Sequence, residues 1–432
     1  MLALQFQLER TQWLPPARLL ELQFRQLEAV MRHAHDTVPY YRERWRGLYD
    51  PAAPLTPQRF AQIPFLTRND LRSQFEALKS TAIPPAHGGV GESRTSGSTG
   101  SPVRVLKTAL NELWWRAFTL RDHRWHRRDL GGKLAAIRQA VEDGESSGWG
   151  PATDGVAVTG PCATLHIRSD VDAQFAWLER QRPQYLLSYP SNVAELARRS
   201  IARGAGLPGL LEVRTIGEVL TGETRDLCRQ AWRVPVTDAY SSDEAGYHAL
   251  QCPEREHYHV QSEGVLLEVL DDQDRPCLPG TVGRVVVTTL HNFATPLVRY
   301  DIGDYAEVGA ACPCGRGLQV LTRIMGRVRN MLRLRSGESF WPMLGTRDLS
   351  DIAPIGQQQI VQKSYDRIEI RLVAGRKLTP EEEGRLVGLI RARFPPEFTL
   401  ELAYCDSIPR GAGNKFEEFL SEVTAPLKSG AQ

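Results

Sequence analysis

The sequence has no apolar run approaching the ~18–20 residues of a membrane span, which excludes a helical membrane anchor within it. Met1 to Arg10 lacks the basic start and apolar core of a secretion signal, so a cytoplasmic location and no membrane partner are expected. Neither sign of charge dominates. With 53 Lys and Arg against 51 Asp and Glu, the formal net charge is +2, and nothing supports a nucleic-acid surface. Cysteine is scarce: seven in 432 residues do not make a disulfide framework, leaving reduced thiols or metal ligands. There is no internal repeat and no low-complexity block. What remains is a chain that is 41% hydrophobic and 24% charged, the balance of a globular protein, and long enough for two or three domains.

Leu19 to His35 repeats apolar residues at helical spacing and is stopped by Pro39; Leu110 to His126 is a second helix, whose Trp114, Trp115, Phe118 and Trp125 read as core. Between Val156 and Val286 short apolar segments alternate with helical ones. Val156–Val158, Tyr185–Leu187 and Val213–Ile216 read as strands, and Val171–Arg180, Val193–Ala202 and Thr224–Trp232 as helices. Such alternation predicts βαβ units and a largely parallel sheet. From Gly264 the texture turns to β, with Val265–Leu270 and Gly283–Thr289 flanking a turn at Asp271–Gly280. The last hundred residues read as a small α+β unit: Arg367–Val373 alternates as a half-buried strand, and Pro380–Phe394 is helical with acids at its start.

The run Ser93-Arg94-Thr95-Ser96-Gly97-Ser98-Thr99-Gly100-Ser101-Pro102 concentrates hydroxyls and glycines where a loop can wrap a polyphosphate. Pro102 sends the chain into an extended exit rather than a helix, and no Lys follows the last glycine, so this is not a Walker loop, which speaks against a P-loop nucleotidase. Downstream come Tyr240-Ser241-Ser242-Asp243-Glu244, then Arg299-Tyr300-Asp301-Ile302-Gly303-Asp304, then Gly326-Arg327. A second constellation is inorganic. Cys252, Cys312 and Cys314, with His257 and His259 competing for a fourth place, offer the Cys₃His set of structural zinc sites. Cys162, Cys228, Cys277 and Cys405 have no matching partners.

In order and separation the loop, Tyr-x-x-x-Glu, Arg-Tyr-x-x-Gly-Asp and Gly-Arg resemble the core motifs of the adenylate-forming ligase superfamily. The branch most similar is that of phenylacetate–CoA ligase and its capsule-biosynthesis relatives, supported by Val38-Pro39-Tyr40-Tyr41-Arg42, Ile63-Pro64-Phe65-Leu66-Thr67-Arg68, Leu186–Ser191 and Cys312-Pro313-Cys314-Gly315-Arg316. The resemblance covers nearly the whole chain. It implies a large N-terminal α/β domain (residues 1–325) with mixed sheets flanked by helices, a hinge at 326–330, and a small mobile α+β C-terminal domain (331–432). It also implies two half-reactions: a carboxylate and ATP give acyl-AMP and pyrophosphate, then a thiol displaces AMP.

By the same resemblance Thr95, Ser96, Gly97, Ser98, Thr99 and Gly100 would wrap the β and γ phosphates, and Glu244 would hold Mg²⁺. Tyr240, within Ala239–Ser241, would lie along the adenine, with Gly217 and Glu218 on its other side, and Asp304 would accept the ribose hydroxyls. Arg327 would meet the ribose or phosphate side, Arg329 would be the pivot, and Lys415 would approach the acyl-phosphate oxygens during adenylation. Thr159, Gly160, Pro161 and Tyr189 are the pocket candidates for an aryl or arylacetic acid. His259 is preferred over His257 as the fourth ligand of a structural Zn²⁺ beside Cys252, Cys312 and Cys314. Coenzyme A is the expected acceptor, ahead of a carrier-protein phosphopantetheine and an amine; a homodimer is compatible with the sequence. Ser101 and Asp243 depart from the pattern, where lysine and a hydroxyl are usual, and favour the rival reading of a zinc-stabilised binding protein that kept the fold and lost catalysis.

Overall fold

The structure is a computed structural model that describes residues 1–94, 102–327, 331–336, 338–340, 352–353, 355–392, 394–409, 417 and 419–423. It divides into two compact units, Met1–Met325 and Gly326–Gln432.

The first unit opens with α1 (Leu2–Thr11) and α2 (Pro16–Thr37), followed by the short α3 (Pro39–Arg44), α4 (Pro57–Ala61) and α5 (Arg68–Ser73). Pro16 supplies the preset φ of a first helical residue, and α2 buries Leu19, Leu27, Val30, Met31 and Ala34 along one stripe. The hairpin β1 (Val90–Arg94) and β2 (Arg104–Thr108) precedes α6 (Ala109–Trp125), whose start is fixed by the Asn111 side chain accepting from the Thr108 amide at 2.9 Å.

Next come β3 (Leu134–Arg138), β4 (Gly144–Ser146), β5 (Cys162–His166), α7 (Val171–Gln181), β6 (Tyr185–Ser188), α8 (Pro190–Arg203), β7 (Glu212–Ile216), α9 (Gly222–Trp232) and β8 (Val236–Ser242). The sequence ends of these helices carry expected stop chemistry: α8 runs from Pro190 at its first turn to Gly204, which takes φ 59° beyond its last. The remaining strands are β9 (Gly246–Gln251), β10 (Tyr258–Val260), β11 (Val265–Leu270), β12 (Val282–Thr289), β13 (Tyr300–Val308) and β14 (Val320–Arg327).

Strands β3 to β14 form one twelve-stranded sheet in the order β11-β12-β13-β14-β10-β9-β8-β7-β6-β3-β5-β4. Its middle, β8-β7-β6-β3-β5, is parallel. The flanks are antiparallel, so the sheet is mixed, and the alternating segments account only for its centre. One expected strand is absent: Val156–Val158 is turn and irregular chain, with Val158 97% exposed, and the strands on that side are β3 and β5 instead.

In the second unit β15 (Leu332–Arg333) pairs with β16 (Ser339–Phe340), and β17 (Ile355–Gln362), β18 (Arg367–Ala374), β19 (Thr399–Tyr404) and β20 (Phe419–Ser421) form a sheet in the order β19-β18-β17-β20. The helix α10 (Pro380–Arg391) buries Leu386 and Ile390 in a core with Ile360, Ile368, Ile370 and Phe398. Among the described residues no helix is long and apolar enough to cross a membrane.

Candidate active site and metal cluster

Parallel strands deliver their C-terminal ends to one edge, where ligands of open α/β sheets bind. At that edge Ile216 of β7 lies beside Ala239 of β8. Gly217 follows with φ 79°, a left-handed turn that a side chain would strain. Glu218 then accepts from the Ser191 amide at 2.9 Å, which places its carboxylate at the N-terminal turn of α8. Tyr240 donates its hydroxyl to Asp304 Oδ2 at 2.9 Å, across 64 residues of chain, so the adenine and ribose candidates meet. Asp301 of the same motif is occupied otherwise, accepting from Arg284 Nη1 at 2.9 Å and from the Gly303 amide at 3.0 Å. Ser241 pairs with Tyr247 where β8 meets β9.

The turn between β8 and β9 carries Asp243 and Glu244 in opposite settings. Glu244 is 3% exposed; its Oε1 accepts from the Tyr300 hydroxyl at 3.2 Å and lies 3.6 Å from Arg68 Nη1. The carboxylate also stands at the wall of a cavity. Asp243 is exposed, while its carbonyl accepts from Ser93 Oγ at 3.0 Å and from Lys107 Nζ. The extra carboxylate therefore faces solvent, and the repulsion it would exert on a phosphate is screened.

Beside Glu244 lies a cavity of about 420 Å³, between α6 and the strands β9, β11 and β12. Lys107, Trp114, Trp115, Phe118, Tyr247 and His291 are among its walls. This corrects two expectations. Trp114 and Trp115 line a cavity rather than a closed core, with Trp115 39% exposed, while Phe118 and Trp125 are buried. The pocket candidates Thr159, Gly160, Pro161 and Tyr189 are not among its lining residues. Thr159, Gly160 and Pro161 precede β5 and so stand at the N-terminal end of the parallel strands: the Pro161 carbonyl accepts from the Leu134 amide at the start of β3. Tyr189 follows β6 and stands at the other end. The four cannot line one pocket.

Thr95 to Gly100, Ser101, Arg329 and Lys415 lie outside the described residues. Arg327 is the last residue of β14. Sequence reasoning assigned no role to Arg68, Tyr300 or Lys107, although Arg68 and Tyr300 sit inside quoted motifs. The signal available for Lys107 was a lone lysine beside the apolar positions Val105 and Leu106 of a strand.

The Cys/His group gathers at the β9–β10 hairpin and the loop before β14. Cys252, His257, His259 and Cys312 place one ligand atom each within 4.8 Å of one another, and Cys314 Sγ lies 3.4 Å from His259 Nε2. His257 thus enters the tightest four where the sequence reading had Cys314. His257 Nε2 and His259 Nδ1 are buried without hydrogen-bond partners, and burial pulls the His259 pKa down to about 3, leaving a neutral imidazole with a free lone pair. Orphaned nitrogens beside buried thiols are the donor set zinc takes.

No family model matches the chain. It is 28% identical over 355 residues to a phenylacetate–coenzyme A ligase of Thermus thermophilus, covering 76% of this chain and 74% of that one. To the protein CapK of Staphylococcus aureus it is 24% identical over 243 residues, 55% of this chain and 53% of that one. A crystal structure of 2-hydroxyisobutyryl-CoA ligase with its acyl-AMP superposes with a TM-score of 0.76 at 19% identity, over 96% of this chain and 92% of that one. The chain is thus similar in sequence to the phenylacetate–CoA ligases and to CapK, and it shares from end to end the fold of an acyl-AMP-bound CoA ligase.

Proposed function

We propose that the protein is an AMP-forming acid–thiol ligase: it activates an aryl or arylacetic acid with ATP to acyl-AMP, then transfers the acyl group to coenzyme A. The observation that carries this reading is the meeting, at the C-terminal ends of the parallel strands, of the Tyr240–Asp304 pair, buried Glu244 and the adjoining cavity. Asp304 offers paired acceptors to ribose hydroxyls, and the Tyr240 ring offers a face to adenine. The acid would enter the cavity, and one carboxylate oxygen would attack the α-phosphorus as pyrophosphate leaves. Glu244 would hold Mg²⁺, which would neutralise charge on the phosphate oxygens. Thr95–Gly100 would hold the β and γ phosphates, Arg327 the nucleotide, and Lys415 the acyl-phosphate oxygens, with rotation about Arg329 exchanging it for the thiol.

Zinc is the proposed occupant of the Cys/His cluster, held by Cys252, His259 and Cys312 with Cys314 or His257. Four protein ligands leave no open position, so its role would be to cross-link the β9–β10 hairpin to the loop before β14.

Carboxylate-dependent ATP–pyrophosphate exchange across a panel of aryl and alkyl acids tests the ligase reading. Glu244→Gln removes a charge and no core volume, so exchange should fall at least about a hundredfold with the fold intact. Exchange equal to wild type in that variant would remove the Mg²⁺ assignment, and silence across the panel would favour a binding protein.

A further inference from the structure

Tyr247, three residues beyond Glu244 on β9, lines the cavity, and no motif gives it a role. Its ring is buried and bordered by α6. Trp115 lies nearly parallel to it, 24° between planes with centroids 6.4 Å apart, and Phe118 stands edge-on at 6.4 Å and 75°. The hydroxyl is taken up elsewhere. Arg214 Nη2 donates to it at 3.0 Å, and Thr119 Oγ1 lies 3.1 Å away. Because the single hydroxyl proton of Thr119 goes to the Trp115 carbonyl at 3.0 Å, Tyr247 donates its own proton to Thr119 while accepting from Arg214. Both bonds hold the oxygen at the tip of the ring, so the ring cannot swing about χ1 without breaking them.

Arg214 reaches Tyr247 from β7, two strands away in the sheet, and is itself fixed. Its Nε lies 2.8 Å from Asp122 Oδ2, the oxygen that also accepts from Arg128 Nη1 at 2.7 Å. Asp122 is 1% exposed, so these charges face each other out of water. A line of paired groups, Arg128, Asp122, Arg214 and Tyr247, thus runs from the end of α6 to the cavity wall. Filling space does not call for it: phenylalanine would supply the same ring, and burying Arg214 and Asp122 carries a desolvation penalty that apolar side chains of the same shape avoid. What the line supplies is direction, because a charge-assisted hydrogen bond is short and oriented. A wall held in place before the ligand arrives spares binding the cost of ordering it.

We propose that Tyr247 is a wall of the acid pocket that binds the acid, and that Arg214, backed by Asp122, is the positioning residue that holds its ring. The proposal rests on the reading of the cavity as the place of the acid, and its test separates the two.

The probe is phenylacetate, titrated by the quenching of tryptophan fluorescence, with a non-hydrolysable ATP analogue as the control ligand. Tyr247→Phe keeps the ring and releases it, so phenylacetate should bind about 3- to 10-fold more weakly while the ATP analogue stays within about 1.5-fold of wild type. Arg214→Lys should show a smaller loss of the same kind. If Arg214 acts through the ring, the double variant binds phenylacetate no more weakly than Tyr247→Phe alone. Arg214→Gln replaces Arg214→Lys in this cycle should that variant not fold. Additive losses would overturn the positioning role. Phenylacetate affinity unchanged in Tyr247→Phe, an equal loss of both ligands, or no phenylacetate binding to wild type would overturn the assignment of Tyr247. The expected pattern in a protein that shows no pyrophosphate exchange with any acid would keep the wall and its support, and reject the ligase reading instead.

Discussion

Replacing Arg128 by Met should cost the first unit more than any surface change, because Arg128 is the hub of a buried charge network. Its side chain is 2% exposed. Nε and Nη2 donate to the Glu212 carboxylate at 2.6–3.1 Å, Nη1 donates to Asp122 Oδ2 at 2.7 Å, and Nη2 also donates to Thr237 Oγ1 at 3.0 Å. The network joins the end of α6 to β7 and β8. After Arg128→Met, Asp122 keeps Arg214 Nε at 2.8 Å, whereas Glu212 loses its guanidinium and, among the described residues, keeps the Thr237 hydroxyl as its side-chain hydrogen-bond donor. Breaking a buried pair from one side costs about 3–5 kcal/mol. The unit spans Met1–Met325, and at about 2.1 cal/mol/K per residue its unfolding entropy is near 0.7 kcal/mol/K, so the midpoint should fall by about 4–7 °C. The pH dependence gives the sign. In the wild type burial pushes the Asp122 pKa up, but Arg128 and Arg214 together hold it well below the carboxylate range, so its contribution persists into strong acid. Asp122 therefore stays ionised from pH 7.5 down to pH 5, and the deficit of the variant should be present at both. Adding Glu212→Gln to Arg128→Met should recover at least about 1.5 kcal/mol by removing the uncompensated charge. Calorimetry at both pH values decides. A midpoint within about 1 °C of wild type at both would refute the reasoning that these charges are desolvated.

Purified protein should carry about one zinc per chain, and Cys312→Ser should release it and lower stability with little effect on the chemical step. Metal analysis of His257→Ala, His259→Ala and Cys314→Ser then reads out the fourth ligand; no zinc in protein prepared without chelator rejects the site. Asp238 accepts from Thr215 Oγ1 and the Tyr258 hydroxyl, yet burial raises its pKa from 3.8 to about 6. A folded value above the unfolded one means its ionisation weakens the fold as pH rises through 6, by up to about 3 kcal/mol. Asp238→Asn should therefore raise the thermal midpoint at pH 8 more than at pH 5, and a larger gain at pH 5 would show that the hydrogen bonds outweigh the burial. Lys415→Ala should damage acyl-AMP formation and spare thioester formation from supplied acyl-AMP, while Arg329→Pro, by stiffening the pivot, should do the reverse. Equal loss of both steps in both variants would reject domain alternation there.

Where the chain announces its own boundaries, the fold was legible. Val265–Leu270 is a strand from end to end because an apolar run interrupted only by Glu268 lies between Gly264 and the turn at Asp271, and α8 is bounded by Pro190 and Gly204. The nucleotide candidates were legible through the resemblance: Tyr240 near the end of β8 and Asp304 in the middle of β13 meet without either pattern containing the other. Lys107, Arg68 and Tyr300 were not, since the groups that give them meaning lie 136 residues away for Lys107 and 56 for Tyr300. The pocket candidates came from the resemblance, and the strand reading beside them did not speak against Thr159, Gly160 and Pro161. Read as a strand, Val156–Val158 sends Thr159, Gly160 and Pro161 out at the C-terminal end of a parallel strand, where ligands bind. The true strand, Cys162–His166, begins after them and reverses that polarity, so the same three residues stand at the opposite edge. Cys162-Ala163-Thr164-Leu165-His166 has little β-branched character to announce it, whereas Val156 and Val158 do. Propensity chose the wrong segment for that strand, and with it the wrong edge for the three residues that follow.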